Sequence, residues 1–251
     1  MIESAISLGF DSLGFSGHAP TEQDTSWETR RSRVEDYIRE VTALKEEYRG
    51  KINVFIGFEL DLYSKGLVDT SGLDYAIGSV HMAKKDGTWY DFDHCYEEVR
   101  RSIDTLFGGD PIAYTKSYYE NLVTMARTVD FDIVGHFDLC YKHGKNAVFY
   151  DVDRKEYKNA AIGAIEALAG KIPYFEVNTG CMPRGYKDVP YPLPFIIKEM
   201  KRCGFGAVIT SDCHNAEYLD YGFAEARKLL SECGYNETFI LTDSGFKPIE
   251  I

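Results

Sequence analysis

The chain has 251 residues, 44% of them hydrophobic and 27% charged, which is enough apolar material for one large α/β domain with a sizeable core. Its formal charge of -12 argues against a general affinity for nucleic acid polymers or anionic membranes, both of which select a basic surface. No apolar run approaches the ~20 residues that span a bilayer, and the opening MIESAISLGFDSL lacks the basic start of a signal peptide.

That opening reads as a helix already under way, with Ile2, Ala5, Ile6 and Leu8 as its apolar positions. Short apolar runs at 12–18, 53–60, 74–81, 131–136, 172–178 and 205–212 read as strands. Segments of helical period lie at 28–48, 114–129, 153–170, 193–204 and 216–234. Gly170, Gly204 and Gly234 follow the last three helices as C-caps would. No repeat and no Pro/Gly/Ser linker divides the chain, so residues 1–251 are expected to form a single domain. Strands alternating with helices imply a mainly parallel sheet. Polar residues finish nearly every strand: His18, Glu59, His81, His136, Asn178 and Asp212. Such ends meet at the mouth of a (β/α) barrel, whereas an open sheet spreads them along an edge. A barrel is therefore the expected architecture.

The six cysteines form no C-x-x-C pair and read as reduced thiols of a cytoplasmic protein, with no thiolate zinc site. Cys213, between Asp212 and His214, is expected to point away from both and serve packing. Four of the six histidines close a strand or follow one: His18, His81, His136 and His214. Glu59 and Asp212 share that address. Imidazole and carboxylate without thiolate suit Zn, Mn or Fe in a hydrolytic site. The count exceeds what one ion needs, which points to two or three divalent ions sharing carboxylates. Taken singly, a histidine after a strand is commonly a satisfied core imidazole, and Glu59 an ordinary ion-pair partner. Taken together, so many ionisable groups in one cavity would carry a heavy desolvation cost without a cation to balance them.

His94 reads as a surface residue and His143 as part of a solvated basic loop. The stretches 57–69 and 91–98 read mostly as solvated acidic faces, with Asp61 close enough to Glu59 to assist it. Arg184 lies in the Pro- and Tyr-rich segment 179–195, where it is either a solvated cation or a bidentate clamp for a phosphate or carboxylate.

The motifs SGHAP, GFELD, YAIGSVH, IVGHFDL, FEVNTG…RGY and SDCH occur in the order of the PHP superfamily (polymerase and histidinol phosphatase). Over essentially its whole length the chain most resembles the histidinol-phosphatase branch. The resemblance implies a distorted (β/α)7 barrel of TIM-like type, with a metal cluster at its C-terminal mouth. Glu59 would bridge two ions, with His81 and His136 completing one shell and Asp212 on the other side. His18 and His214 would bind a third ion. The implied activity is metal-dependent phosphomonoester hydrolysis of L-histidinol phosphate, a step of histidine biosynthesis, by attack of a metal-bound hydroxide on phosphorus. Glu59, Asp212 and His214 would form the catalytic centre, and Arg184, in its R-G-Y context, would bind the phosphate. Members of the branch open with a strand carrying H-x-H, which this sequence does not contain. The expectation is thus a barrel without its first strand, either because the true start lies upstream of Met1 or because the member is truncated or degenerate. Its Asp212 site would be short of two histidines, leaving fewer ions. Two other readings stand beside this one: hydrolysis of another small phosphate ester or a nucleotide, and a weakened domain that binds metal or ligand without turnover.

Overall fold

The computed structural model describes residues 1–23, 28–144 and 151–251. In chain order the strands are β1 (Ser12–His18), β2 (Asn53–Asp61), β3 (Tyr75–Ser79), β4 (Met82–Lys85), β5 (Thr88–Asp91), β6 (Ile133–Val134), β7 (Tyr174–Asn178), β8 (Gly206–Thr210), β9 (Glu237–Thr242) and β10 (Gly245–Glu250). The helices are α1 (Ile2–Ser7), α2 (Val34–Glu47), α3 (Tyr96–Leu106), α4 (Pro111–Thr128), α5 (Lys155–Leu168), α6 (Pro194–Arg202) and α7 (Phe223–Glu232).

The six expected strands form one parallel sheet in the order β1-β2-β3-β6-β7-β8. The register pairs His18 with Glu59 across β1 and β2. One face of the sheet, with Phe58, Leu60, Val134, Phe175 and Ala207, packs into the main core shared with the helices. The other face presents Phe55, Tyr75, Ile77, Ile133 and Val208, and Phe239, Leu241 and Phe246 of the β9–β10 hairpin pack against it. This alternation is the period-2 pattern of strands buried on both faces.

The sheet curls strongly. Laid flat, six strands at ~4.8 Å spacing would hold their two edges roughly 24 Å apart. Yet His18 at the end of β1 and His214 just beyond β8 have ring centroids only 6.2 Å apart. Glycine makes room for that curvature on the inner face. A Cβ on Gly14 of β1 or on Gly57 of β2 would stand 2.6 Å from the Tyr75 side chain, so these two strands can close over that ring only without side chains there. Among the described residues, no strand pairs with the outer edge of β1 or of β8. A cavity of about 700 Å³ opens between them, lined by His18, Glu59, Glu176 and Asp212 as well as by Phe239, Leu241 and Phe246.

The expected helices are present, and Gly170, Gly204 and Gly234 stand at φ of +74°, +85° and +92° as helix-ending residues. Three features differ from the sequence reading. The supposed acidic face 91–98 runs into α3, which covers residues 96–106 and buries Val99 and Ile103 one turn apart. The β4–β5 hairpin turns on Asp86 and Gly87, both at positive φ, as a two-residue primed turn requires. Strand β6 has only two residues, because the His136 N–H leaves the ladder and donates to the Glu176 carboxylate at 2.6 Å. No helix among the described residues is long and apolar enough to cross a membrane.

Candidate metal centre

Parallel strands bring their C-terminal ends to one side of the sheet, and the polar residues that finish them meet there. Glu59, the last residue but two of β2, is 9% exposed and stands at the centre. His18 Nδ1 lies 3.2 Å from its Oε2, while His81 Nε2 and His136 Nε2 lie 3.3 and 3.1 Å from its Oε1. The rings stack edge to face, with His18 to His81 at 5.1 Å and His81 to His136 at 5.0 Å. One carboxylate thus gathers three imidazoles from three different strands.

Asp61 fixes one of those rings. It is 2% exposed, accepts the His81 backbone N–H at 2.8 Å, and sets its Oδ2 3.5 Å from His81 Nδ1. The far side of the imidazole is thereby aimed at Glu59, the usual carboxylate–histidine arrangement behind a metal ligand. This residue assists Glu59 as expected, but it does so as a buried group rather than from a solvated face.

Across the cavity lies Asp212, at φ +44°, where the chain turns sharply after β8. Its Oδ2 accepts from Arg184 Nη2 at 2.8 Å and from Asn178 Nδ2 at 3.2 Å, and its Oδ1 is 3.7 Å from His214 Nε2. Arg184 also donates to the Asp212 backbone carbonyl at 2.7 Å. Cys213 packs beside the cluster around Ile2, Val41 and Val54 and also lines the cavity.

The structure adds Glu176, which the sequence reading passes over. Only 2% exposed, it accepts from the His136 N–H at 2.6 Å, Asn178 Nδ2 at 2.8 Å and Thr210 Oγ1 at 2.7 Å. It ties the ends of β6, β7 and β8 together beneath the site. The signal was present: Glu176 and Asn178 are two apart in an otherwise apolar strand and so share a face. His94 is exposed as expected. His143 is not in a solvated loop; it is 8% exposed, with Nε2 2.7 Å from the His94 carbonyl oxygen and its ring against Tyr186. The adjacent Lys142 is buried too, held by Asp93, so this loop folds inward on paired charges.

The electrostatics follow from this packing. Burial pushes the Glu59 carboxyl up, but His81, His18 and His136 outweigh it and hold it well below the usual carboxylate range. Burial opposes protonation of His81, yet Glu59 and Asp61 raise it well above an ordinary imidazole. His136 is raised in the same way by Glu59 against burial. His18 goes the other way, because burial outweighs the pull of Glu59. Asp212 is lowered despite burial, chiefly through His214, with Arg184 assisting, and His214 is raised by Asp212 in turn.

The donor set fits a divalent ion. Two ligands of one tetrahedral ion at ~2.0–2.1 Å stand roughly 3.4 Å apart, close to the separations around Glu59. One ligand atom each from His18, Glu59 and His81 falls within a mutual 4.8 Å.

A curled parallel α/β sheet with an imidazole–carboxylate cluster at its strand ends defines a protein of the metal-centre-bearing α/β class. The chain belongs to the PHP domain family, which matches residues 1–180. Curated proteins that it resembles are named as histidinol-phosphatases. It is 28% identical over 245 residues to the "Probable histidinol-phosphatase" of Deinococcus radiodurans, covering 92% of this chain and 85% of that one. It is 26% identical over 243 residues to the histidinol-phosphatase of Bacillus subtilis, covering 88% of each. The fold matches the crystal structure of histidinol phosphate phosphatase from Lactococcus lactis, complexed with Zn, L-histidinol and phosphate. That match has a TM-score of 0.72 at 19% identity and covers 98% of this chain and 90% of that one.

Proposed function

We propose that this chain is a metal-dependent phosphomonoesterase acting on L-histidinol phosphate. The observation that carries the reading is the buried Glu59 ringed by His18, His81 and His136, with Asp212 across the cavity and Arg184 bonded to Asp212. The names of the relatives, and the histidinol and phosphate held by the Lactococcus lactis protein, support the substrate.

His18, Glu59, His81, His136, Asp212 and His214 would hold the metal, two or three ions of Zn, Mn or Fe. When bound, such ions supply Lewis acidity toward the phosphoryl oxygens and acidify water at neutral pH. The chain's own residues do the rest. Glu59, central and ionised, sets the ligand geometry that Asp61 and Glu176 brace from behind. Arg184 offers a planar guanidinium to the phosphoryl oxygens, a bidentate match that a lysine would not make. Its present bonds to Asp212 hold it at the rim of the site. Asp212 and His214 form the more exposed side of the centre.

We read the fold as one domain over 1–251, a distorted (β/α)7 barrel in which the interval between β1 and β8 corresponds to an absent first strand. The open edges of those two strands and the cavity between them support this reading. The small phosphorylated substrate and the six unpaired cysteines are those of a cytoplasmic enzyme.

The test is phosphate release from L-histidinol phosphate by Mn- or Zn-loaded protein, with nucleoside monophosphates in parallel. Hydrolysis of histidinol phosphate, with KM raised at least about tenfold by Arg184→Ala, is the expected result. Faster cleavage of the nucleotides would overturn the substrate. Bound metal with no turnover of any ester would replace the enzyme reading by that of a binding domain.

A further inference from the structure

Lys187 lies three residues beyond Arg184 and is only 5% exposed. Its Nζ stands 3.9 Å from Oδ2 of Asp138, itself fully buried, and 4.0 Å above the Tyr191 ring. Among the described residues that ammonium donates no hydrogen bond. Lysine and aspartate are almost never buried unless paired, and an apolar side chain would fill the same space without the desolvation cost. The pair is therefore poorly explained as a source of stability.

Its position suggests a different use. Asp138 follows the metal-site residue His136 by two positions, and the same Oδ2 also accepts the Leu193 N–H at 3.0 Å. One buried carboxylate thus holds the segment that carries Arg184 at two points. Behind it, Asn178 and Tyr191 exchange both backbone hydrogen bonds, at 3.0 and 2.9 Å, and close the base of the segment on β7. The tip closes where the Tyr186 N–H meets the Cys181 carbonyl at 3.0 Å. Between these two closures Lys187 is the inward charge, and Asp138 is the one carboxylate it pairs with among the described residues.

We infer that Lys187 is a positioning residue: its buried pairing with Asp138 latches the 181–187 turn so that Arg184 stands over Asp212 and the substrate phosphate. This rests on the phosphate-binding reading of Arg184, and the latch itself is testable apart from that reading. Amide hydrogen exchange is compared between the wild-type chain and Lys187→Met, which keeps length and volume. The amides of Gly185, Tyr186 and Tyr191 should exchange at least about tenfold faster in the variant while those of β2 and β3 keep their rates. Unchanged exchange at the turn would overturn the latch whatever the activity. If Lys187→Met does not fold, Asp138→Asn/Lys187→Met, which leaves no lone buried charge, is measured in its place with the same expectation.

Kinetics then separates positioning from mere support. Lys187→Met should raise KM for L-histidinol phosphate roughly tenfold with little change in kcat, and should add less than about twofold in an Arg184→Ala background. Equal effects in both backgrounds would mean that Lys187 does not act through Arg184. If Arg184→Ala leaves KM unchanged, the phosphate-binding reading fails, and the exchange rates alone decide whether the latch exists.

Discussion

Replacing Glu176 by methionine tests whether one buried carboxylate braces the site. Methionine keeps the length of the side chain and removes every acceptor. Three donors lose their partner: the His136 N–H, Asn178 Nδ2 and Thr210 Oγ1. Two of them have recourse, since the threonine hydroxyl can rotate and Asn178 Nδ2 still reaches Asp212 at 3.2 Å. The His136 N–H does not, and a stranded buried donor costs about 1–3 kcal/mol. Part of that loss is offset because burial already raises the Glu176 carboxyl above its ordinary range, so the native charge carries a desolvation cost. The net expectation is a destabilisation of about 1–2 kcal/mol for Glu176→Met, and less than about 1 kcal/mol for Glu176→Gln, which retains an acceptor for His136. Urea unfolding of the metal-free protein at neutral pH measures both, as a shift in midpoint at constant slope. Wild-type stability in Glu176→Met would refute the bracing role. Equal damage in the two variants would show that the charge matters and the acceptor geometry does not.

Two further outcomes follow from the geometry. A Cβ on Gly180 would stand 2.7 Å from Arg184 Nη2 and 2.9 Å from the Asp212 backbone oxygen, so Gly180→Ala should dislodge the guanidinium. KM for the phosphate ester should rise about threefold to tenfold, with some loss of melting temperature because the Asp212 carbonyl must also give way; an unaltered KM would show that Arg184 is not set by this contact. The second concerns pH. In the metal-free protein His81 is raised well above an ordinary imidazole: burial opposes this, but Glu59 and Asp61 prevail. A raised folded-state value contributes stability that is fully present below the unfolded value of about 6.5 and is lost as pH climbs through the folded value. The metal-free protein should therefore lose stability on the alkaline side of pH 6.5. Zinc affinity should strengthen over the same window, with proton release visible by calorimetry in buffers of different ionisation enthalpy. A stability that rises through that window would contradict the charge arrangement around Glu59.

Much of this centre was legible in the residues. Short apolar runs marked the six parallel strands, because strands buried on both faces read as short continuous hydrophobic segments. The ligand types were legible because a histidine or carboxylate at a strand end has no packing reason to recur on strand after strand. The supporting groups were harder to see. Glu176 lies inside an apolar strand, and only its two-residue spacing from Asn178 marks the inner face as polar near the mouth. Asp61 looked like one acid among several, since burial depends on α4 and β3 closing over it and not on its local sequence. The Asp86-Gly87 pair does announce the β4–β5 hairpin, but strands of four residues leave little periodicity to read. His143 and Lys142 fold inward through contacts to residues 49 positions earlier, which no local pattern reports.

The two free strand edges have a mechanical consequence. Glu59, His81 and His136 stand on or just beyond interior strands, each flanked by neighbours on both sides, whereas His18 and Asp212 belong to the two margins of the sheet. Displacing an interior strand means breaking two ladders, but a margin can move by bending one. The softest motion available to the fold is thus a widening and narrowing of the gap between β1 and β8. Groups on one jaw, His18, and on the other, Asp212 and His214, ride that motion directly. A cation held by both jaws would work as a rivet, converting an open-edged sheet into a closed ring and stiffening the whole mouth at the moment it binds.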